Sequence, residues 1–207
     1  MASAVIHLAV AKELEKYLNI KNNKDYYLGS IAPDISKQIN QHKKESHFLY
    51  NTKEDVPNIE LFTTKYQNFK NNDFNLGYYI HLYTDKIWFD EFLEKLTYSN
   101  SIKLLDGTIL ATTHDEIRNL IYKDYTNLNI KLIDEYTIDL SLFYEDFQIP
   151  ETTLDEIPID KLNILIDQMG IIIENSKQEK NYVFDIYLIN EFINNCIVQI
   201  LDELKNY

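Results

Sequence analysis

Residues 77–92 read GYYIHLYTDKIWFDEF, and apolar or aromatic side chains occupy nearly every side of a helix built from them. A helix that is hydrophobic all round is buried, so this stretch predicts the central helix of a bundle. It nevertheless contains His81 and Asp85, which lie one turn apart on the same face at a spacing of i, i+4. A buried carboxylate is costly unless it is paired or coordinates a metal. The pair therefore predicts either a hydrogen bond within the core or an ion-binding site.

The composition around this stretch favours helix throughout. The chain has 207 residues, of which 45% are hydrophobic, so it can bury a sizeable core. It contains only 4 Gly and 4 Pro, which is few for a sheet-rich protein with many tight turns. We expect a single all-α domain over residues 1–207, a bundle of about seven or eight helices around a metal site.

Hydrophobic period and capping residues predict where the helices begin and end. Ser3 and Asn72 or Asp73 are N-cap candidates, and Thr113 with Glu116 forms a capping box that opens a helix or a helix pair. Residues 36–56 are polar and lack a sustained period, so we expect a long connection there, and the period lapses again around residues 100–107. The expected helices span residues 3–18, 25–31, 57–69, 74–96, 113–136, 160–174 and 182–205.

Charge and targeting features narrow the classes of partner. The net charge of −13 repels nucleic acid and anionic lipid, so we do not expect polyanion binding to be the main role. Cys196 is the single cysteine and lies in an apolar helical stretch, which predicts a buried free thiol. The apolar run near the N-terminus is a poor secretory signal, and no run approaches the ~18 residues that span a bilayer. We expect a cytoplasmic protein with no transmembrane segment, and the oligomeric state stays open.

Three further candidates for an ion-binding site lie in the first fifty residues. His7 lies on an apolar helix face, Asp34 follows a helix that Pro33 must end, and His47 lies within KKESHFLY. Taken alone, His7 is more typical of a hydrogen-bonded core histidine. Together with His81 and Asp85, the set is rich in His and Asp and free of Cys. Such ligands favour zinc in an open, catalytic type of site, with manganese or iron as alternatives.

Four runs of sequence resemble the metal motifs of the bacterial zinc-dependent phospholipase C family, in the same order. They are IHLAVA (6–11), LGSIAPDI (28–35), the tripeptide Ser46-His47-Phe48 and GYYIHLYTD (77–85), and the resemblance covers roughly residues 3–96. The resemblance implies that Asp34, His47, His81 and Asp85 bind one ion, with Asp85 bridging to a second ion near His7.

The chain departs from the family in two places. The secreted members begin with a mature N-terminal Trp that binds an ion, whereas this chain begins Met1-Ala2-Ser3. They also have a later His and a His-x-x-x-Glu helix, whereas this chain has only His114, followed four residues on by Arg118. The resemblance therefore implies one or two ions rather than three.

The activity that the resemblance implies is metal-dependent hydrolysis of a phosphate ester, such as a lipid headgroup or a nucleotide. A bound ion would activate a water for in-line attack on phosphorus, and Asp34 would both bind the ion and orient that water as the catalytic residue.

Two alternatives remain open. His114-Asp115 in a helical protein suggests an HD-type phosphohydrolase, with His47 or His81 and Asp124 around it, although the same dyad suits the acidic first turn of a capped helix. The second alternative is a non-enzymatic helical module, in which the same residues hold a structural ion or simple hydrogen bonds and the acidic surface meets a partner protein.

Overall fold

The helices follow the sequence pattern in number and order. The computed structural model describes the chain except residues 53, 54 and 145 and the side chains of residues 142 and 143. Helix accounts for 59% of the chain and strand for 4%, which confirms the predicted all-α class. The α-helices are α1 (Ala4–Glu15), α2 (Asn23–Ile31), α3 (Ile35–Gln38), α4 (Ile59–Lys65), α5 (Asp73–Ile87), α6 (His114–Glu135), α7 (Asn163–Glu174) and α8 (Ile186–Glu203).

Polar N-caps start the helices where the sequence indicated them. The side chain of Ser3 accepts from the backbone N–H of Ile6 and starts α1. Asn72 caps α5, and Thr113 with Glu116 forms the full capping box of α6. The α6 segment is one helix rather than a helix pair. Several predicted ends were wrong by a few residues: α1 ends at Glu15 rather than Leu18, and α8 begins at Ile186 rather than Tyr182.

The chain after α2 does not run straight into the predicted connection. A 3₁₀ turn at Ala32–Asp34 carries Pro33, and the four-residue α3 follows it. The α2 helix ends at Ile31, just before Pro33 as expected, but Ala32 keeps α-region angles (φ −59°, ψ −37°), so the chain continues as helical turns instead of becoming extended. This turn places Asp34 at the start of α3, where its side chain is buried.

The helix predicted over residues 74–96 changes its geometry partway. It is regular up to Ile87 and continues as a π-helix over Trp88–Leu93. Trp88 is fully buried there and contacts the rings of Phe92, Phe184 and Phe192. Hydrophobic periodicity did not reveal the change, because the π segment has only six residues.

A small sheet occupies the segment where the helical period lapses. Strands β1 (Thr97–Tyr98), β2 (Ser101–Lys103) and β3 (Ile109–Ala111) pair antiparallel in the order β1-β2-β3. The sequence did not predict it, because strands of two or three residues are too short to show an alternating pattern. Ile102 is fully buried and attaches the sheet to the core.

Helices α2 and α5 approach each other closely at two glycines. A Cβ atom at Gly29 would clash with the carbonyl oxygen of Phe74, and one at Gly77 would clash with the carbonyl oxygen of Tyr26. Only glycine permits this distance between the backbones. The contact brings the C-terminal end of α2 against the middle of α5, where His81 lies.

The rest of the core joins the other helices to this pair in one continuous cluster of buried side chains. Cys196 on α8 is a buried free thiol, as predicted. Among the described residues, no helix has both the length and the apolar character that crossing a bilayer requires.

Candidate metal centre

The structure brings together all five residues that the sequence singled out. His7 comes from α1, Asp34 from the 3₁₀ turn, His47 from the turns before α4, and His81 and Asp85 from α5. The three histidines and Asp85 are fully buried, and Asp34 is 9% exposed. Burial of five polar side chains in one place is costly unless their atoms are paired or hold an ion.

Asp85 lies at the centre of this cluster and faces a histidine on each side. Its Oδ1 is 3.4 Å from His7 Nε2, and its Oδ2 is 3.6 Å from His47 Nε2 and 3.8 Å from His81 Nε2. The Oδ1 atom also accepts the backbone N–H of Ala2 at 2.8 Å. The Oδ2 atom is buried and has no hydrogen-bond partner among the described residues.

The backbone of α2 fixes the tautomer of His81. Its Nδ1 lies 2.9 Å from the carbonyl oxygen of Ser30, which can only accept a hydrogen bond. Nδ1 must therefore carry the proton, and Nε2 presents a lone pair to the cluster. The ring also stacks on His7, with centroids 3.7 Å apart and planes 12° apart.

A chain of hydroxyl groups orients His47 in the same way. His47 Nδ1 lies 2.9 Å from Ser46 Oγ, which in turn can donate to Ser36 Oγ at 3.0 Å or to the carbonyl oxygen of Lys43 at 3.2 Å. Ser46 has one hydroxyl proton, and when that proton goes to Ser36 or Lys43, the Nδ1–H of His47 donates to Ser46 Oγ. The Nε2 of His47 then also presents a lone pair to the cluster.

Local contacts hold the turn that carries His47. Its backbone N–H donates to the carbonyl oxygen of Lys43, and Tyr78 on α5 donates its hydroxyl to the carbonyl oxygen of Ser46 at 2.5 Å. The next residue, Phe48, has a φ of 54° and packs its ring against Phe62. The turn is thus fixed to α5 and to the aromatic core, although the sequence there is polar.

The result is a set of acceptors that face one another. His47 Nε2 and His81 Nε2 are only 3.4 Å apart, and both lie close to Asp85 Oδ2. Protonation is not available as relief, since burial lowers the pKa of His81 to about 4 and the pKa of His47 well below its ordinary value. Burial opposes ionisation of Asp85, but the N-terminal amino group and His7 outweigh it and hold its pKa well below its usual range.

The distances between these acceptors suit a small cation. Bonds of about 2.0–2.2 Å in a tetrahedral site place neighbouring ligand atoms roughly 3.3–3.6 Å apart. The three separations within the His47, His81 and Asp85 group are 3.4, 3.6 and 3.8 Å. Asp34 Oδ1 lies 3.8 Å from His47 Nε2 and has no hydrogen-bond partner among the described residues, so Asp34 adjoins this group as a candidate ligand without belonging to the set of three atoms that lie within 4.8 Å of one another.

A second group overlaps the first. Ligand atoms of His7, Asp34 and His81 also lie within 4.8 Å of one another. Both ring nitrogens of His7 are buried without a hydrogen-bond partner among the described residues. His7 and Asp34 can therefore contribute to a second ion site, whereas the single free lone pair of His81 serves only one of the two groups at a time. The contact of α1 with α5 that a site near His7 needs is present.

Asp34 is the member of the cluster nearest to solvent. Burial raises the pKa of its carboxyl group, although the neighbouring His81 opposes the shift. Its side chain retains 12% exposure, whereas those of His7, His47, His81 and Asp85 have none. A small molecule that reaches the cluster would therefore meet Asp34 first.

Sequence reasoning missed the groups that orient the ligands, namely Ala2, Ser30, Ser36 and Ser46. Ser46 adjoins His47 inside one of the quoted motifs and could have been noticed there, because it acts through its side chain. Ala2 and Ser30 act through backbone atoms, which every residue has, so the residue type gives no signal for this role.

The residues of the HD alternative lie elsewhere. His114 and Asp115 are exposed at the start of α6, where Asp115 pairs with Arg118 at 3.1 Å. Asp124 is buried but accepts backbone N–H groups from Tyr182, Val183 and Phe184. The structure therefore does not bring this dyad or Asp124 into the cluster.

Comparison with protein-family models, with curated proteins and with solved structures yields no match to this chain. The resemblance to zinc-dependent phospholipases C thus stays a prediction from the sequence motifs.

Proposed function

We propose that this protein is a metal-dependent hydrolase of phosphate esters, similar to phospholipase C in its chemistry. One observation carries the proposal: His47 Nε2, His81 Nε2 and Asp85 Oδ2 face one another in a buried space, and Asp85 Oδ2 has no hydrogen-bond partner among the described residues. Such an arrangement is unfavourable on its own and favourable around a cation.

The donor set supports zinc as the ion. His47, His81, Asp85 and Asp34 would supply two imidazole nitrogens and two carboxylate oxygens, a set that suits zinc and also accommodates manganese or iron. No cysteine lies in the cluster, since Cys196 belongs to the core around α8. One ion fits the tighter group, and His7 offers a place for a second.

The chemistry follows from the open side of the cluster. A bound divalent ion supplies Lewis acidity, which acidifies water and polarises a phosphoryl oxygen. Asp34, on the solvent side, is positioned to accept a hydrogen bond from the attacking water and so to orient it. The remaining ligands lie behind Asp34 and are closed to water, which keeps the site rigid and dry on that side.

The expected substrate is a small phosphate ester rather than a polyanion. The net charge of −13 disfavours nucleic acid, and one or two divalent cations offset only part of it. A phosphate ester needs only the local positive charge of the ion at the end of a cavity.

Metal analysis and hydrolysis test the proposal together. We expect purified protein supplemented with zinc to retain about one tightly bound ion, because four convergent ligands are present. We expect it to hydrolyse bis(4-nitrophenyl) phosphate, and Asp34→Asn to reduce that rate by about 10²-fold or more, the range of a lost general base or orienting group. Protein that contains no zinc, manganese or iron after supplementation would refute the proposal.

Two control variants separate the alternatives. His114→Ala and Asp115→Asn change exposed residues outside the cluster, so both should keep wild-type hydrolysis. Loss of activity in either variant, with activity kept in Asp34→Asn, would favour the HD-type alternative. A tightly bound ion without hydrolysis would favour the non-enzymatic module.

A further inference from the structure

A cavity of about 230 Å³ opens beside Asp34. It lies between the start of the chain, the turn after α2, and the facing sides of α6 and α7. Asp34 is the one candidate ligand among its described lining residues. A larger cavity of about 890 Å³ shares Met1, Tyr122 and Tyr125 with it, but none of the five cluster residues lines that cavity among the described part of the chain. The smaller cavity is therefore the one that leads to the cluster.

The walls of this cavity are mainly apolar. Ile31, Leu165, Met169 and Ile172 supply aliphatic surface, and Tyr122 and Tyr125 supply aromatic surface. At the rim, Lys37 Nζ contacts the hydroxyl of Tyr122 at 2.7 Å and is exposed. In a chain of strongly negative net charge, this ammonium group favours the approach of an anion to the cavity.

One polar side chain in the cavity wall lacks a hydrogen-bond partner among the described residues. Asn129 on α6 is 3% exposed, and its Oδ1 is buried without a hydrogen-bond partner in the described structure. Buried amide groups are almost always paired, so an unpaired one beside a cavity points to a partner that arrives with a ligand. The terminal torsion of Asn is soft, so its amide can turn toward the cavity at little cost.

We propose that this cavity binds the organic group of the substrate and that Asn129 accepts a hydrogen bond from it. This inference rests on the proposed function and names its substrate class: phosphate esters of small, mostly apolar alcohols or phenols that carry one further hydrogen-bond donor. Pockets for drug-sized ligands hold about 300–1,000 Å³, so a cavity of about 230 Å³ suits a small alkyl or phenyl group best. Asp34, which lines this cavity, then lies next to the phosphate group of the bound ester.

A pair of variants on α7 tests whether the cavity is used. Ile172 lines the cavity, whereas its neighbour Ile173 does not, and both are partly buried. Ile172→Phe should weaken binding of phenylphosphonate to the zinc-loaded protein by about tenfold or more, because the added ring fills the space. Ile173→Phe should change it by less than about twofold, as for substitutions away from the site. Calorimetric titration measures both.

Asn129→Leu tests the hydrogen bond. The wild type should prefer (3-hydroxyphenyl)phosphonate over phenylphosphonate by about tenfold, since a site built to pair a hydroxyl discriminates against its absence. Asn129→Leu should remove that preference while keeping zinc content and affinity for phenylphosphonate. Equal affinities in the wild type would overturn the role of Asn129.

The outcomes distinguish this inference from the proposed function. If Ile172→Phe binds phenylphosphonate as the wild type does, the cavity is not the binding site, although zinc-dependent hydrolysis of bis(4-nitrophenyl) phosphate would still uphold the function. The opposite outcome is also possible: the wild type binds phenylphosphonate, Ile172→Phe abolishes that binding, and the wild type hydrolyses no ester. In that case the binding site stands and the hydrolase proposal fails. Hydrolysis of thymidine or long-chain diacyl phosphoesters as fast as that of phenyl esters would overturn the substrate class.

Discussion

Asp85 Oδ1 accepts the backbone N–H of Ala2 at 2.8 Å, although the two residues are 83 positions apart in the chain. The bond joins the residue before the N-cap of α1 to the last turn of α5 and occupies one oxygen of the carboxylate. The other oxygen, Oδ2, is left to face His47 and His81. The two oxygens of Asp85 thus have different environments. An ion can bind Oδ2 without breaking a hydrogen bond, whereas an ion at Oδ1 competes with the Ala2 N–H.

The first prediction concerns His81. Its Nδ1–H donates to the carbonyl oxygen of Ser30, so the lone pair of its Nε2 faces the cluster. His81→Ala should abolish tight zinc binding, because it removes a ligand that both groups of the cluster share. His42→Ala is the matched control, because His42 is exposed and is not one of the five cluster residues. Elemental analysis of both variants after dialysis gives the stoichiometry, and an unchanged zinc content in His81→Ala would refute the assignment.

The second prediction concerns the hydroxyl groups that orient His47. Ser46→Ala should weaken zinc binding by about 10–100-fold, the usual cost of removing a group that orients a metal ligand. Ser46→Thr keeps the hydroxyl and should restore most of the affinity. Competition with a zinc chelator measures the affinity, and equal affinities of the Ala and Thr variants would show that Ser46 is not the orienting group.

Much of this arrangement was predictable from the sequence, and the reason is the helical period. His81 and Asp85 stand one turn apart in an apolar run, and the break at Pro33 marks Asp34, so local pattern placed three ligands. His47 and its partners were harder, because the turn that holds them owes its shape to distant contacts with Tyr78 and Phe62. The sheet and the π-helix were missed because strands of two or three residues and a π-helix of six residues are too short to show their own periods.

The third prediction tests the close contact of α2 with α5. Gly29→Ala and Gly77→Ala should each destabilise the fold by about 3 kcal/mol or more, because the added methyl group meets a backbone carbonyl that cannot move aside. Gly170→Ala on α7 is the control, since its nearest neighbour is the Tyr144 hydroxyl at 3.7 Å and alanine favours helix by about 1 kcal/mol. Urea denaturation measures all three, and a neutral effect at Gly29 and Gly77 would contradict the packing.

The fourth prediction concerns pH in protein stripped of metal by a chelator. The pKa of His81 falls from 6.5 to about 4 on folding, so between these values the unfolded chain binds more protons than the folded one. The stabilising contribution of neutral His81 is therefore complete above pH 6.5 and is lost as pH falls toward 4.

Denaturation at several pH values measures this loss. We expect the free energy of unfolding of metal-free protein to fall by roughly 3 kcal/mol over that range from His81 alone, because each pKa unit corresponds to about 1.4 kcal/mol. His81→Gln should show a shallower dependence. Parallel curves for the variant and the wild type would contradict the burial of a neutral imidazole.

The last prediction separates one tightly held ion from two. His7 Nε2 lies 3.4 Å from Asp85 Oδ1, the oxygen that Ala2 already engages, whereas His47 and His81 face the free Oδ2. An ion at His7 either binds Asp85 Oδ1 and displaces the Ala2 hydrogen bond, or binds Asp34 and His81 and competes with the other group for His81, so it should bind more weakly than the ion at Oδ2. Calorimetric titration of metal-free protein with zinc should accordingly show one tight and one weaker site.

His7→Ala should keep the tight site and lose the weaker one, because His7 does not belong to the group that His47, His81 and Asp85 form. His7 also stacks on His81, so His7→Phe serves as a second variant that keeps a ring in that position while removing the nitrogens. Loss of the tight ion in His7→Phe would show that His7 belongs to the primary site. Retention of both ions would show instead that His7 is a core histidine whose nitrogens bind no metal. Because Asp34 and the tight ion remain in His7→Phe, retained hydrolysis there is the expected result and would assign the chemistry to a single ion.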